Sequence, residues 1–259
     1  MSRRHLTFAC DGDTLVGTLD EAAGTTGLLI VSGGNETRAG AFSGQAELAA
    51  SVAAAGFPVF RFDRRGVGDS EGENFGFRHS ASDIAAALTA FRTACPQLKT
   101  IAGFGNCDAA SALMLSGGAG LDRLALANPW TIEHDDGAPP PEAIRSRYAE
   151  KLRNPKEVWR LLTGKVSLGK LAGGIRHALR PAPAPSGLAE EIAAGLAGFT
   201  GSSVILLASR DRTAQAFESG WNAADQRISR CEGATHAFAE AQSRDWLVRE
   251  LLALLSNSA

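Results

Sequence analysis

Ile101-Ala102-Gly103-Phe104-Gly105-Asn106-Cys107-Asp108-Ala109-Ala110 is an apolar strand that runs into Gly-x-Cys-x-Ala and then into a helix. A nucleophile held on a tight strand-to-helix turn needs strained backbone angles. Small residues two positions before and two after it let the chain fold back without a Cβ clash. Gly105 and Ala109 meet that need. The turn sets Cys107 at a helix N-terminus, where the helix dipole and free N–H groups favour a thiolate. The neighbouring Asp108 carboxylate acts in the opposite sense. The ordinary reading of the other three cysteines, Cys10, Cys95 and Cys231, is a small buried hydrophobe.

Outward from this stretch, strands and helices alternate. Strands are expected at Thr14 to Leu19, Gly27 to Val31, Phe57 to Phe62, Thr100 to Phe104 and Leu121 to Ala127. Helices are expected at Gln45 to Ala55, Ser80 to Cys95 (N-capped by Ser80, Ser82 or Asp83) and Ala109 to Leu115. Beyond Asn128-Pro129-Trp130 the pattern changes. A Pro-rich loop, Asp135 to Pro141, leads to helices at Glu142 to Leu152, Pro155 to Leu162 and Leu168 to Leu179. A stiff spacer, Pro181 to Pro185, precedes another helix at Gly187 to Ala197. The strand pattern resumes at Ser203 to Ala208, followed by helix Thr213 to Ala223, strand Arg227 to Cys231 and helix Trp246 to Leu255. Strands alternating with helices imply βαβ units and a mostly parallel sheet. The expected organisation is a core of residues 1–129 and 201–259 interrupted by a helical insert at 130–200.

Two further segments complete a chemical pattern. His236, in Glu232-Gly233-Ala234-Thr235-His236, follows the last expected strand, and Asp211, in Ser209-Arg210-Asp211-Arg212, follows the strand before it. Alone, His236 is an ordinary loop histidine and Asp211 an N-cap. Together with Cys107 they come in the order nucleophile, acid, base, each at the carboxyl end of a successive strand. The imidazole would take the Cys107 proton, and Asp211 would orient it. Ser32-Gly33-Gly34-Asn35 lacks bulk where a backbone N–H must approach a substrate oxygen. The amide of Gly34 or Asn35, with that of Asp108, forms the expected oxyanion hole.

These features resemble the α/β-hydrolase fold over nearly the whole length. The string Asp63-Arg64-Arg65-Gly66-Val67-Gly68-Asp69-Ser70 resembles the Asp-x-Arg-Gly-x-Gly-x-Ser turn of many such proteins, where it is structural. The resemblance is closer still to the exosortase A system-associated hydrolase 1 family. It rests on Gly33-Gly34, the Asp63 to Ser70 string, Cys107-Asp108-Ala109, Asn128-Pro129-Trp130, and Arg147-Tyr148 through Trp159-Arg160-Leu161-Leu162-Thr163-Gly164-Lys165-Val166. It implies an eight-stranded, mostly parallel sheet with helices on both faces and a helical lid. It also implies a place beside bacterial exopolysaccharide and protein-sorting systems. A Cys-His-Asp set on this fold also resembles dienelactone hydrolase, which lacks such an insert. The implied activity is hydrolysis of an ester or thioester through a covalent acyl-enzyme. Acyl transfer with the same residues, or ligand binding without catalysis, are the alternatives.

Composition bounds these readings. With 44 % hydrophobic and 21 % charged residues, the chain is globular rather than disordered. No apolar run is long enough for a membrane helix, and the opening nine residues carry two arginines and then alternate polar and apolar with no apolar core of a signal peptide, so a cytoplasmic location is expected. The four cysteines match no zinc spacing, and neither metal nor cofactor is expected. A net charge of −2 argues against nucleic acid as a partner. That average conceals ten Lys or Arg against two acids, Glu150 and Glu157, between Arg145 and Arg180. Exposed helices usually interleave both signs. The basic stretch is either a solvated face or an attractor for an anionic acyl donor, a carrier protein or a membrane surface.

Overall fold

Leu28-Leu29-Ile30-Val31 shows how the chain is layered. Alternate strand residues point to opposite faces of a sheet. Leu28 and Ile30 enter one hydrophobic cluster, and Leu29 and Val31 enter the other. A strand buried on both faces reads as a continuous apolar run, as this one does. The computed structural model describes residues 2–133 and 187–257.

The strands are β1 (Arg3–Cys10), β2 (Asp13–Asp20), β3 (Thr26–Val31), β4 (Val59–Phe62), β5 (Thr100–Asn106), β6 (Arg123–Ala127), β7 (Ser202–Ala208) and β8 (Ile228–Cys231). Among the described residues they form one eight-stranded sheet in the order β1-β2-β4-β3-β5-β6-β7-β8. The pairs β1–β2 and β2–β4 are antiparallel, and all others are parallel. This is the expected fold class.

The helices are α1 (Gly44–Ala54), α2 (Ala81–Ala94), α3 (Asp108–Leu115), α4 (Gly187–Ala197), α5 (Arg212–Gly220) and α6 (Ala241–Ser256). Helices α2 to α5 cover one face of the sheet, while α1 and α6 cover the other. In α1 the buried residues are Leu48, Ala49, Val52 and Ala53, a single stripe at helical spacing.

Three elements differ from expectation. β1 is an unanticipated strand at the sheet edge. It is joined to β2 by the two-residue turn Asp11-Gly12, both at positive φ, a hairpin type that favours Asp-Gly. α6 begins at Ala241, five residues before Trp246, because its first turn is largely exposed and polar and carries no apolar period. Ser80 is the N-cap residue of α2, but its side chain makes no capping bond. Its hydroxyl instead accepts from Arg64 at 2.9 Å.

α4 packs its buried Leu188, Ile192 and Leu196 into the same cluster as Leu113 of α3. The approach is close: a Cβ on Gly195 would lie 2.2 Å from the Met114 carbonyl oxygen. The Leu188 N–H donates to the Glu133 carboxylate at 2.8 Å. Glu133 and the start of α4 are therefore neighbours. The expected helices at 142–152, 155–162 and 168–179, the spacer at 181–185 and the basic stretch lie outside the described residues. Among those described, no helix is long and apolar enough to cross a membrane.

Candidate active site

The β5–α3 turn builds the site from the backbone outward. A Cβ on Gly105 would lie 2.6 to 2.8 Å from backbone atoms of Ala109 and Ala110, so the chain folds back there only with glycine. Cys107 has φ 64° and ψ −127°, a conformation that L-residues rarely adopt. Its N–H donates to the Ala127 carbonyl at 2.9 Å, tying the turn to the end of β6. All four cysteines are free thiols. Cys10, Cys95 and Cys231 are buried, whereas Cys107 is partly exposed. Burial pushes the Cys10 thiol up to about 11, with Asp83 adding to it, and burial also raises Cys95 and Cys231.

Asp211 and His236 arrive from the next strand ends. Asp211 caps α5 by accepting from the Ala214 N–H at 3.0 Å. Its Oδ2 also lies 3.0 Å from His236 Nδ1. One carboxylate thus serves as helix cap and imidazole partner together. His236 also interacts with the Cys107 side chain. The Asp211 bond first and the Cys107 bond second outweigh burial and push the imidazole up to about 10. The loop that presents His236 is pinned by Phe238, buried at φ 49° and stacked on Trp246 with ring centroids 5.9 Å apart.

The Ser32 to Asn35 segment passes over the start of α3. A Cβ on Gly33 would lie 2.6 Å from Asp108 Oδ1. The Gly34 N–H donates to that same oxygen at 2.7 Å, so the structure already commits this amide of the expected oxyanion hole. Asp108 does not turn towards the thiol as a free charge. Its second oxygen sits 3.7 Å from Arg64 Nη2, and the buried Arg64 also donates to the Gly34 carbonyl. Sequence reasoning left Arg64 inside a structural turn, and nothing in its spacing points to Gly34 or Asp108. A cavity of about 110 Å³ lies alongside, lined by Phe42, Leu48, Phe104 and Leu247 together with Asn106 and His236. Among the described residues no group of three His, Cys, Asp or Glu is placed to hold a metal.

Residues 28–250 match the family model described as "Alpha/beta hydrolase family". No curated protein matches the chain. Among solved structures, the chain is similar to the alpha/beta hydrolase GrgF from Penicillium sp. sh18, at 15 % identity and TM-score 0.64, with 98 % of each chain covered. It is similar to an esterase from Pyrococcus furiosus at 11 % identity and TM-score 0.62, covering 98 % of this chain and 89 % of that one. A serine hydrolase without a lid from Xanthomonas campestris shows 14 % identity and TM-score 0.60, covering 100 % and 98 %. At these identities the likeness is one of fold.

Proposed function

The chain belongs to the alpha/beta hydrolase family, and from that premise we propose that it hydrolyses an ester or thioester with Cys107 as nucleophile, His236 as acid and base, and Asp211 as its orienting group. The observation that carries this reading is the placement of His236. Its Nδ1 lies 3.0 Å from Asp211 Oδ2, and it interacts with the thiol at the strained turn.

His236 takes the Cys107 proton as the sulfur attacks the acyl carbonyl carbon, and the carbonyl electrons move to oxygen. The Asp108 N–H at the start of α3 and the Asn35 N–H receive that oxyanion, because Gly34 already donates to the Asp108 carboxylate. The tetrahedral species collapses, the bond to the leaving oxygen or sulfur breaks, and the His236 imidazolium supplies the leaving group's proton. The acyl group now sits on Cys107 as a thioester. Water enters, neutral His236 takes one of its protons, and collapse releases the acid and the Cys107 sulfur, which takes that proton back from His236. A sugar hydroxyl or an amine in place of water would make the same intermediate an acyl donor. The cavity beside His236 takes one short apolar substituent of the substrate.

The finer readings have their own support. We read residues 130–200 as an insert between the two parts of the core; the contact of Glu133 with the start of α4 supports an insert whose ends meet. We propose that its basic stretch, ten Lys or Arg against two acids, attracts an anionic acyl donor, a carrier or a membrane surface rather than serving only as a solvated face. Free thiols at all four cysteines fit the cytoplasm. The narrower resemblance to exosortase A system-associated hydrolase 1 rests on its sequence strings, Asn128-Pro129-Trp130 and the lid motif among them.

A panel of p-nitrophenyl esters and acyl-thioesters, read with Cys107→Ala and His236→Ala as controls, tests the reading. A substrate turned over by the parent and by neither variant supports it. Parental rates in His236→Ala remove the assigned base. Labelling by a thiol reagent that is equally slow at all four cysteines favours a binding protein instead.

A further inference from the structure

Asn128 follows β6 fully buried, with φ 43°, a backbone state that Asn tolerates better than most residues. Its neighbours assign its side-chain orientation. The Ala208 N–H, at the end of β7, lies 2.8 Å from Asn128 Oδ1, and an N–H has no choice but to donate. The amide nitrogen therefore faces the other way. Nδ2 donates to Asn106 Oδ1 at 2.9 Å and to the His236 carbonyl at 3.2 Å. That bond in turn fixes Asn106, whose Nδ2 donates to the same His236 carbonyl at 3.0 Å. Two side-chain donors converge on one carbonyl, whose two lone pairs are both used.

We propose that Asn106 and Asn128 are positioning residues for His236, clamping its backbone so that one imidazole meets Asp211 and Cys107 at once. His236 sits in a loop, and its side chain is 43 % exposed, so packing holds it less firmly than a core residue. The clamp removes that freedom. It joins the ends of β5, β6 and β7, the first of which carries Cys107 and the last of which leads to Asp211, to the loop after β8. A second tie, from the Arg210 N–H to the Ala234 carbonyl at 3.0 Å, binds the same loop to the segment bearing Asp211. Buried carboxamides need partners in any fold, and that need alone would be met by any nearby carbonyl. Here both select the residue whose ring does the proposed chemistry. The inference rests on the reading of His236 as the base.

The test compares Asn128→Asp, which replaces both donations with an acceptor at constant size, and Asn106→Leu at a half-buried position, where an apolar side chain should be better tolerated. Each is followed by steady-state kinetics on an activated ester, by thermal unfolding, and by the downfield proton resonance of His236 Nδ1. The expected result is a loss in kcat of about 10²-fold, the usual consequence of an ångström-scale misplacement. In Asn128→Asp, which leaves the cavity lining unchanged, KM should move by less than about twofold, since substrate contacts are intact. The resonance should shift upfield or broaden. Folded variants with parental kcat and an unchanged resonance, whatever their melting temperature, overturn the inference. Should Asn128→Asp fail to fold, Asn106→Leu decides alone. Full turnover by His236→Ala would instead remove the catalytic reading, and the resonance would then decide the positioning role by itself.

Discussion

Two tight turns lie at the ends of β4 and β5, on either side of β3, and do opposite things with strain. In the turn after β4, Asp63 is fully buried and its carboxylate is saturated. It accepts from the Arg38 N–H at 2.5 Å, the Arg38 guanidinium, and the Asp69 N–H at 3.2 Å. The Ser70 hydroxyl donates to the Asp63 carbonyl at 2.7 Å and accepts from the Val16 N–H at 2.9 Å. The left-handed positions there are glycines, Gly66 and Gly68. In the turn after β5, the left-handed position is Cys107, which has a side chain to present. Where geometry serves the fold, glycine absorbs the strain at little cost. Where a side chain must be aimed, the strain falls on the working residue.

That contrast is most easily broken by exchanging its effects. Cys107→Ala and His236→Ala should each lower turnover by about 10⁴-fold or more while the variants remain folded. Asp63→Ala should do the reverse. Withdrawing the buried carboxylate from Arg38 should cost about 3 kcal/mol or more in denaturant unfolding, while the folded fraction keeps its kcat. A catalytic loss in Asp63→Ala as deep as in His236→Ala would erase the distinction.

The thiol itself is tested next. Cys107→Ser should be a poor enzyme, because serine's far higher pKa demands stronger help from the base. A serine variant as fast as the parent on oxygen esters would make the thiol incidental. Cys107→Gly sharpens the strain argument from the other side. It should raise stability by about 1 kcal/mol, since glycine takes this backbone state without a Cβ penalty, while activity is lost.

The pH response follows from the raised imidazole. Its folded value, about 10, lies above its ordinary 6.5. The stabilisation from its partners is therefore complete below pH 6.5 and disappears as pH rises through about 10. The melting-temperature difference between parent and His236→Ala should shrink across that window, and the rate should fall on the alkaline side as the imidazolium is lost. The smallest effect is expected from reversing charge at Arg153, Lys156 and Arg160. It should lower kcat/KM for an anionic substrate but not a neutral one, and the difference should fade as salt screens the field. Equal behaviour of both substrates leaves the basic stretch as solvation.

The parts of this molecule that sequence alone reveals are those with local causes. Gly105 and Ala109 around Cys107 announce the turn because the steric demand is met within five residues. Asp211 is legible because it follows a short apolar run, and His236 because it follows the last strand-like segment. β1 has no clear apolar signal although Asp11-Gly12 stands between two alternating runs, because five of its eight residues are exposed. Longer-range features have no local sign. The Asp108–Gly34 bond spans 74 positions, and the bonds from Asn128 and Asn106 to the His236 carbonyl span 108 and 130. Such partners become neighbours only when parallel strands bring their carboxyl ends to one edge. The sequence therefore names the reacting groups better than the groups that hold them.

The central claim is that Cys107 carries the acyl group. Rapid quenching during turnover of an activated ester, followed by peptide mass mapping, measures this directly. The account predicts an acylated peptide containing Cys107, lost together with turnover in Cys107→Ala. An acyl group mapped to another residue, or parental turnover in Cys107→Ala, would contradict it.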